Sequence, residues 1–196
     1  MAVRSGPVTK DTSTIALGLA KVLVGESASN ISEKEQVLDQ TTNSLGALNS
    51  TSLTSNVEYW RLSSGFPQLE DLVLPLSESA QFDCEFKELN PRNLAYARGI
   101  DASSGYEDNH SGEIPLGNIE APEYVRMEAI YTYPNQTNHM YIIFPRAQIT
   151  SSPEVSFNEE DNANVPVTIE AKRAGSDVSG GDAAWDASPL GRIYFD

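Results

Sequence analysis

The chain has 196 residues, room for one domain with a proper core, and its 13 Lys and Arg against 28 Asp and Glu leave a formal charge of −15. A field of that sign repels phosphate, which excludes a grip on DNA or RNA through neutralised backbone charge. Hydrophobic content of 39% with charged content of only 21% leaves a surface rich in Ser, Thr, Asn and Gly, a composition that favours strands and loops over helices.

Residues 1–14 contain Gly6, Pro7 and a run of Thr and Ser, offer no core face, and read as an extended arm. The stretch "IALGLAKVLVG" at 15–25 is β-branched and short, a strand ending at Gly25. Interrupted by Gly18 and Lys21, it is neither a signal peptide nor a membrane span, so residence in a cytoplasm is expected. Residues 27–56 are polar and poor in aromatics, with room for a short helix near Glu33 to Leu38, and read as one long loop. Loops of that length inside a domain are either functional or disordered. The spaced Leu38, Leu45, Leu48 and Leu53 call for something to bury against.

Residues 56–64 alternate Glu58, Trp60 and Leu62 against Val57, Tyr59 and Arg61, the period of a strand. The following "QLEDLVLPLSES" is strand-like to Pro75, which requires an edge, a bulge or a strand end. Then Phe82, Cys84 and Phe86 alternate with Asp83, Glu85 and Lys87. Acids are depleted from strand interiors, so the polar face looks either at water or at a negatively charged passage. Cys84, the single cysteine, reads as a small buried hydrophobe on the apolar face. A helix at 91–98 is punctuated at both ends: Asn90 as N-cap, Pro91 in the first turn and Gly99 to close it.

Residues 101–122 are a loop by composition. From Glu123 to Ile149 two strands flank a turn at Pro134 to Asn138, with Val125, Met127, Ala129 and Tyr131 on one face and Tyr124, Arg126, Glu128 and Ile130 on the other. Val165, Val167, Ile169 and Ala171 mark another alternating strand. The Gly- and Asp-rich residues from 174 lead to a terminal "RIYFD". Together these elements describe one mainly β domain with a short helix, a long polar loop and two projecting ends.

Catalytic chemistry finds no pattern to stand on. His110 and His139 lack the partners of a zinc site, and Ser179 in "DVSGG" lacks the first glycine of a nucleophile elbow. The acidic clusters at Asp101 to Glu113 and at 158–164 read as solvated loop charge. The N-x-[ST] triplets at Asn30, Asn49, Asn109 and Asn135 read as chance in a Ser- and Thr-rich chain. No enzyme, cofactor or metal is expected.

Three segments, "ALGLAKVLVGES", "LEDLVLPLSESAQFDCEFKELNPRNLAYARGID" and "VPVTIEAKR" with "ASPLGRIYFD", resemble in order the major tail tube proteins of long-tailed bacteriophages. The resemblance implies two packed antiparallel sheets with a flanking helix at 91–98, closing into hexameric rings whose inner sheets form one barrel. It implies stacking of rings through the loop 27–56, with Leu38, Leu45, Leu48 and Leu53 as contacts, and through arms at 1–14 and 174–196. Channel-lining candidates are Glu58, Asp83, Glu85, Glu128 and Glu170, with Arg126 and Lys172 placed to pair with neighbouring acids. Implied partners are other copies of the chain and the tape measure, tail terminator and distal tail proteins, while DNA passes without specific binding. The implied location is the virion tail, after synthesis in the host bacterial cytoplasm. Competing readings are a tail terminator, a head decoration protein, the tube subunit of a contractile or secretion device, or a monomeric carbohydrate-binding β-domain using Trp60 and Trp185.

Overall fold

The computed structural model describes residues 18, 20–100, 113–114, 116–117, 121–134, 137–151, 154–155 and 164–196. Seven strands are present among them: β1 (Lys21–Glu26), β2 (Leu48–Ser64), β3 (Leu69–Phe86), β4 (Val125–Thr132), β5 (His139–Ile149), β6 (Val165–Ala171) and β7 (Arg192–Phe195), with one helix, α1 (Pro91–Ala97). The expected mainly β, antiparallel fold with a flanking helix is there. Its strands are hydrogen-bonded into a single sheet in the order β1-β4-β5-β6-β3-β2, with β7 also on β5, rather than divided between two. Side chains from β1, β4 and β5 and from β3, β6 and α1 nevertheless meet in one core, so the two halves of the sheet share an inner face.

The alternation read from the sequence places that core. Phe82, Cys84 and Phe86 of β3, Val165, Val167 and Ile169 of β6, and Met127 and Ala129 of β4 are all buried in it. Burying each large apolar side chain contributes about 1.5–3 kcal/mol. Helix α1 closes one side with Ala95, Tyr96 and Ala97. Its N-terminus is capped as the sequence predicts: the Asn90 side chain accepts from the Asn93 N–H at 2.7 Å, and Pro91 follows where no N–H is needed. Gly99 ends it at φ +71°, donating to the Tyr96 carbonyl at 2.8 Å.

Two expectations about the attachments change. Residues 27–56 are not one free loop: from Leu48 they are strand β2, and residues 27–47 are folded onto the outer face of β1 and β4. Backbone bonds from Val24 N–H to the Asn43 carbonyl and from Leu45 N–H to the Val22 carbonyl also seal the outer edge of β1. The C-terminal segment 174–196 does not project. It crosses β5, buries Trp185 and Ala174 against Ile143, and returns as β7 alongside residues Met140–Ile143. Gly191 makes that return possible: at φ +138°, a Cβ there would lie 2.1 Å from the Ile143 carbonyl oxygen. The N-terminal arm at 1–14 and most of both acidic loop clusters lie outside the described residues.

The sheet therefore has an outer face of two kinds. Over β1, β4 and β5 it is covered by residues 27–47 and 174–191. Over β6, β3 and β2 no described segment covers it.

Candidate functional site

The half of the sheet formed by β6, β3 and β2 carries the unusual surface. Strands β2 and β3 are 17 and 18 residues long, but β6 pairs only with Gln81–Phe86. From there to the turn the two strands continue as a two-stranded ribbon, paired only with each other among the described residues. Residues opposite one another in an antiparallel pair share a face, so the register defines two faces. One continues the core side with Leu53, Val57, Tyr59, Arg61, Val73 and Pro75. The other continues the outer side with Glu58, Trp60, Leu62, Leu72 and Leu74. A register shift falls between Glu58 and Tyr59, opposite Pro75, which is the bulge the proline requires.

Near the body of the domain, the outer face is acidic and hydroxyl-rich. The Asp83 carboxylate accepts from Gln81 Nε2 and Thr168 Oγ1, both at 2.8 Å, and Glu85 accepts from Asn49 Nδ2 at 2.8 Å. Glu170 accepts from Thr150 Oγ1 at 2.8 Å and pairs with Lys172 Nζ at 2.6 Å. These two partners, Lys172 first, hold the Glu170 carboxyl below the ordinary carboxylate range. Glu58, farther out, accepts from the Ser77 hydroxyl at 3.1 Å. Four of the five carboxylates singled out in the sequence thus share one face of β2, β3 and β6.

Glu128 does not join them, which corrects the expectation that it lines a channel. It is buried, with its Oε1 2.7 Å from Arg126 Nε. Its carboxylate also accepts from the backbone N–H groups of Val37 and Leu38, at 3.1 and 3.0 Å. The Arg126 guanidinium donates to the carbonyls of Asn30, Glu33 and Glu35 at 2.7–2.8 Å. The polar face of β4 is a clamp for residues 30–38. Leu38, Leu45 and Leu48, offered as contacts to a neighbouring ring, are likewise buried within this chain, and only Leu53 of that set is exposed. Leu38 is buried where residues 30–38 lie on the outer face of β1 and β4, while Leu45 and Leu48 enter the main core.

Most of the large hydrophobic side chains that the described residues leave exposed lie on the β2–β3 ribbon, among them Tyr59, Trp60, Leu62, Phe66, Leu69, Leu72, Val73, Leu74 and Leu76. Tyr59 on one face and Trp60 on the other are 50% and 47% exposed, so neither face of the ribbon is covered. An isolated two-stranded hairpin is marginal in water, and an edge of this length, rich in apolar residues and with Arg61 as its one basic residue, invites pairing with another chain. Sequence reasoning passed over this surface. Its signal was present in "VEYWRL" and "LEDLVLPL", where apolar residues occupy both alternation phases at once. Trp60 is thus a surface residue, whereas Trp185 is fully buried and donates its Nε1–H to the Ile31 carbonyl, which removes it from any stacking platform.

No family model matches the chain, and no curated protein matches it. Among solved structures, it is similar to the tube-terminating cap of the anti-feeding prophage, at 12% identity over 100% of this chain and 99% of that chain, with a TM-score of 0.46. It is similar to a chain of the PVC sheath-tube complex of an extracellular contractile injection system in the extended state, at 12% identity over 98% and 99%, TM-score 0.45. It is also similar to a chain of the PVC sheath/tube terminator in the extended state, at 13% identity over 100% and 99%, TM-score 0.43.

Proposed function

We propose that this chain is a structural subunit of a tail tube, joining copies of itself into rings around an anionic channel. The observation that carries the reading is the β2–β3 ribbon: it projects past β6 with unpaired edges and apolar side chains on both faces, and that surface is satisfied by neighbouring subunits. Ring closure of this kind leaves Glu58, Asp83, Glu85 and Glu170 together on one side of the joined sheets. In a wall so placed, carboxylates leave DNA hydrated and mobile, whereas a basic wall would release counterions from it and hold it. Six copies, the number implied by the sequence resemblance, would carry 6 × 15 = 90 formal negative charges per ring, so the joints must rest on apolar and backbone contacts. Electron microscopy of the concentrated protein tests the proposal. Rings or hollow tubes of uniform width are expected; a protein that sediments as a monomer at every concentration and salt would overturn it.

A second reading, the subunit that terminates a tube, has its own support. Residues 27–47 are clamped by Arg126 and Glu128, and residues 174–196 return to the sheet, so two of the attachments expected to reach the next ring are tied to their own body. A terminator needs lateral joints but only one stacking face. Discrete rings that do not lengthen with concentration, and that block growth of tubes built by a different subunit, would favour it over the tube subunit.

A further inference from the structure

Strand β7 has an open side. The Asp196 N–H donates to the His139 carbonyl at 3.2 Å, which makes Tyr194–Tyr141 and Arg192–Ile143 the hydrogen-bonded pairs along β5. Alternation then turns the N–H and C=O groups of Ile193 and Phe195 away from β5, to an edge that no described strand pairs. Their side chains are 49% and 64% exposed. Between this edge and the base of the ribbon runs a groove of about 170 Å³, walled by Leu53 and Ala80 on one side and Leu190 and Ile193 on the other, with Phe144 also lining it. Glu78 and Arg192 add charged groups to the lining, and the buried Arg192 Nε has no hydrogen-bond partner among the described residues.

We propose that this groove receives the β2–β3 ribbon of a second copy of the chain, whose β2 edge adds to the free edge of β7. The assignment rests on the ring-forming reading above and names its receiving site. Three features fit that occupant. The groove offers backbone donors and acceptors beside apolar walls, which is what an extended apolar strand needs. Arg61, the one cation between Leu48 and Phe86, lies on the ribbon face that continues the core side; it pairs with Glu70 of its own ribbon at 2.7 Å but keeps its side chain largely exposed, and Glu78 stands in the groove to share it. The ribbon of the same copy cannot fill the site, because its own base at Leu53 and Ala80 forms the wall. Ribbon and groove are different surfaces, so the joint is head-to-tail and repeats until a ring closes.

Complementation tests this arrangement. A ribbon variant, Tyr59→Asp with Trp60→Asp, and a groove variant, Ile193→Asp with Phe195→Asp, alter only exposed side chains, and circular dichroism verifies that each folds. Each alone is expected to sediment as a monomer. Mixed, they retain one intact joint and are expected to give a species of twice the monomer mass and nothing larger. A groove variant that assembles like the wild type, or a mixture of folded variants that stays monomeric, would overturn the groove assignment while leaving ring formation by the wild type standing. A wild type that never associates would overturn both. Should the groove variant fail to fold, the pair Tyr59→Cys and Ile193→Cys in one chain replaces it, Tyr59 sharing the ribbon face of Arg61: mild oxidation yields a covalent ladder if the joint is correct and only monomer if it is not.

Discussion

The guanidinium of Arg126 and the carboxylate of Glu128 meet at 2.7 Å with neither exposed to solvent, and together they hold five backbone groups of residues 30–38. A buried ion pair alone is weak evidence of stabilisation, because desolvation offsets much of the attraction. Here the pair is also the hydrogen-bond partner of a segment that lies on a sheet, where an orphaned donor or acceptor costs about 1–3 kcal/mol.

Glu128→Gln should therefore destabilise the fold by about 3–5 kcal/mol in urea unfolding, since it leaves the Arg126 charge buried without its counter-ion. The double replacement Arg126→Met with Glu128→Leu should remain destabilised by several kcal/mol, at about 1–3 kcal/mol per orphaned backbone group, where a simple ion pair would give near-neutrality. Amide exchange at Val37 and Leu38 should quicken in both variants before global unfolding does.

The two tryptophans report on assembly. Trp185 is buried and hydrogen-bonded to Ile31, while Trp60 stands half exposed on the ribbon. In dilute protein, acrylamide should quench one of the two emitters readily, and Trp60→Phe should abolish that fraction. If the ribbon is the joint between copies, quenching should fall as concentration rises and rings form. Unchanged quenching in assembled protein would place the ribbon outside the contacts.

Strand periodicity made much of this architecture legible. Phe82, Cys84 and Phe86, the paired strands about Pro134, and the Asn90-Pro91 helix start all stand where alternation and capping put them. It failed where a second layer intervenes. Alternation assigns Arg126 and Glu128 to an outward face, but cannot say that residues 30–38 cover that face and supply its partners. "LNSTSLTSN" reads as loop because hydroxyl side chains are short and polar, yet they suit a strand with one solvated side. Leu38 and Leu45 were recognisable as residues needing burial. That their partner would be the chain's own sheet lay in tertiary contacts beyond local pattern.

Cys84 should behave as an inert thiol. Burial, with the adjacent Asp83 charge adding to it, pushes its pKa up to about 12. Native protein near neutral pH should not react with a thiol reagent on the timescale on which urea-unfolded protein reacts fully. The unfolded chain loses this proton at the ordinary thiol pKa while the folded chain keeps it. Stability should accordingly decline as pH rises above about 9, the reverse of what a stabilised thiolate would give.

Glu58 and Glu85 are each held by one surface hydrogen bond, from Ser77 and Asn49 respectively. Replacing both with Lys should change stability little, within roughly 0.5 kcal/mol per site. It changes each chain's formal charge from −15 to −15 + 4 = −11, and reverses the sign at two points of the proposed channel wall. Assembled variant should retain short duplex DNA at 50 mM salt and release it by about 200 mM, because each phosphate contact steepens the salt dependence by about one in logarithmic slope. The control is the same charge change at Glu33 and Glu35, exposed residues of the segment that covers β4. Net charge is then identical and only location differs. Retention by the first variant and not by the second places the β2–β3 carboxylates along the DNA path. Equal behaviour of the two assembled variants would remove Glu58 and Glu85 from the channel and leave the ribbon's role in ring closure to be judged on its own.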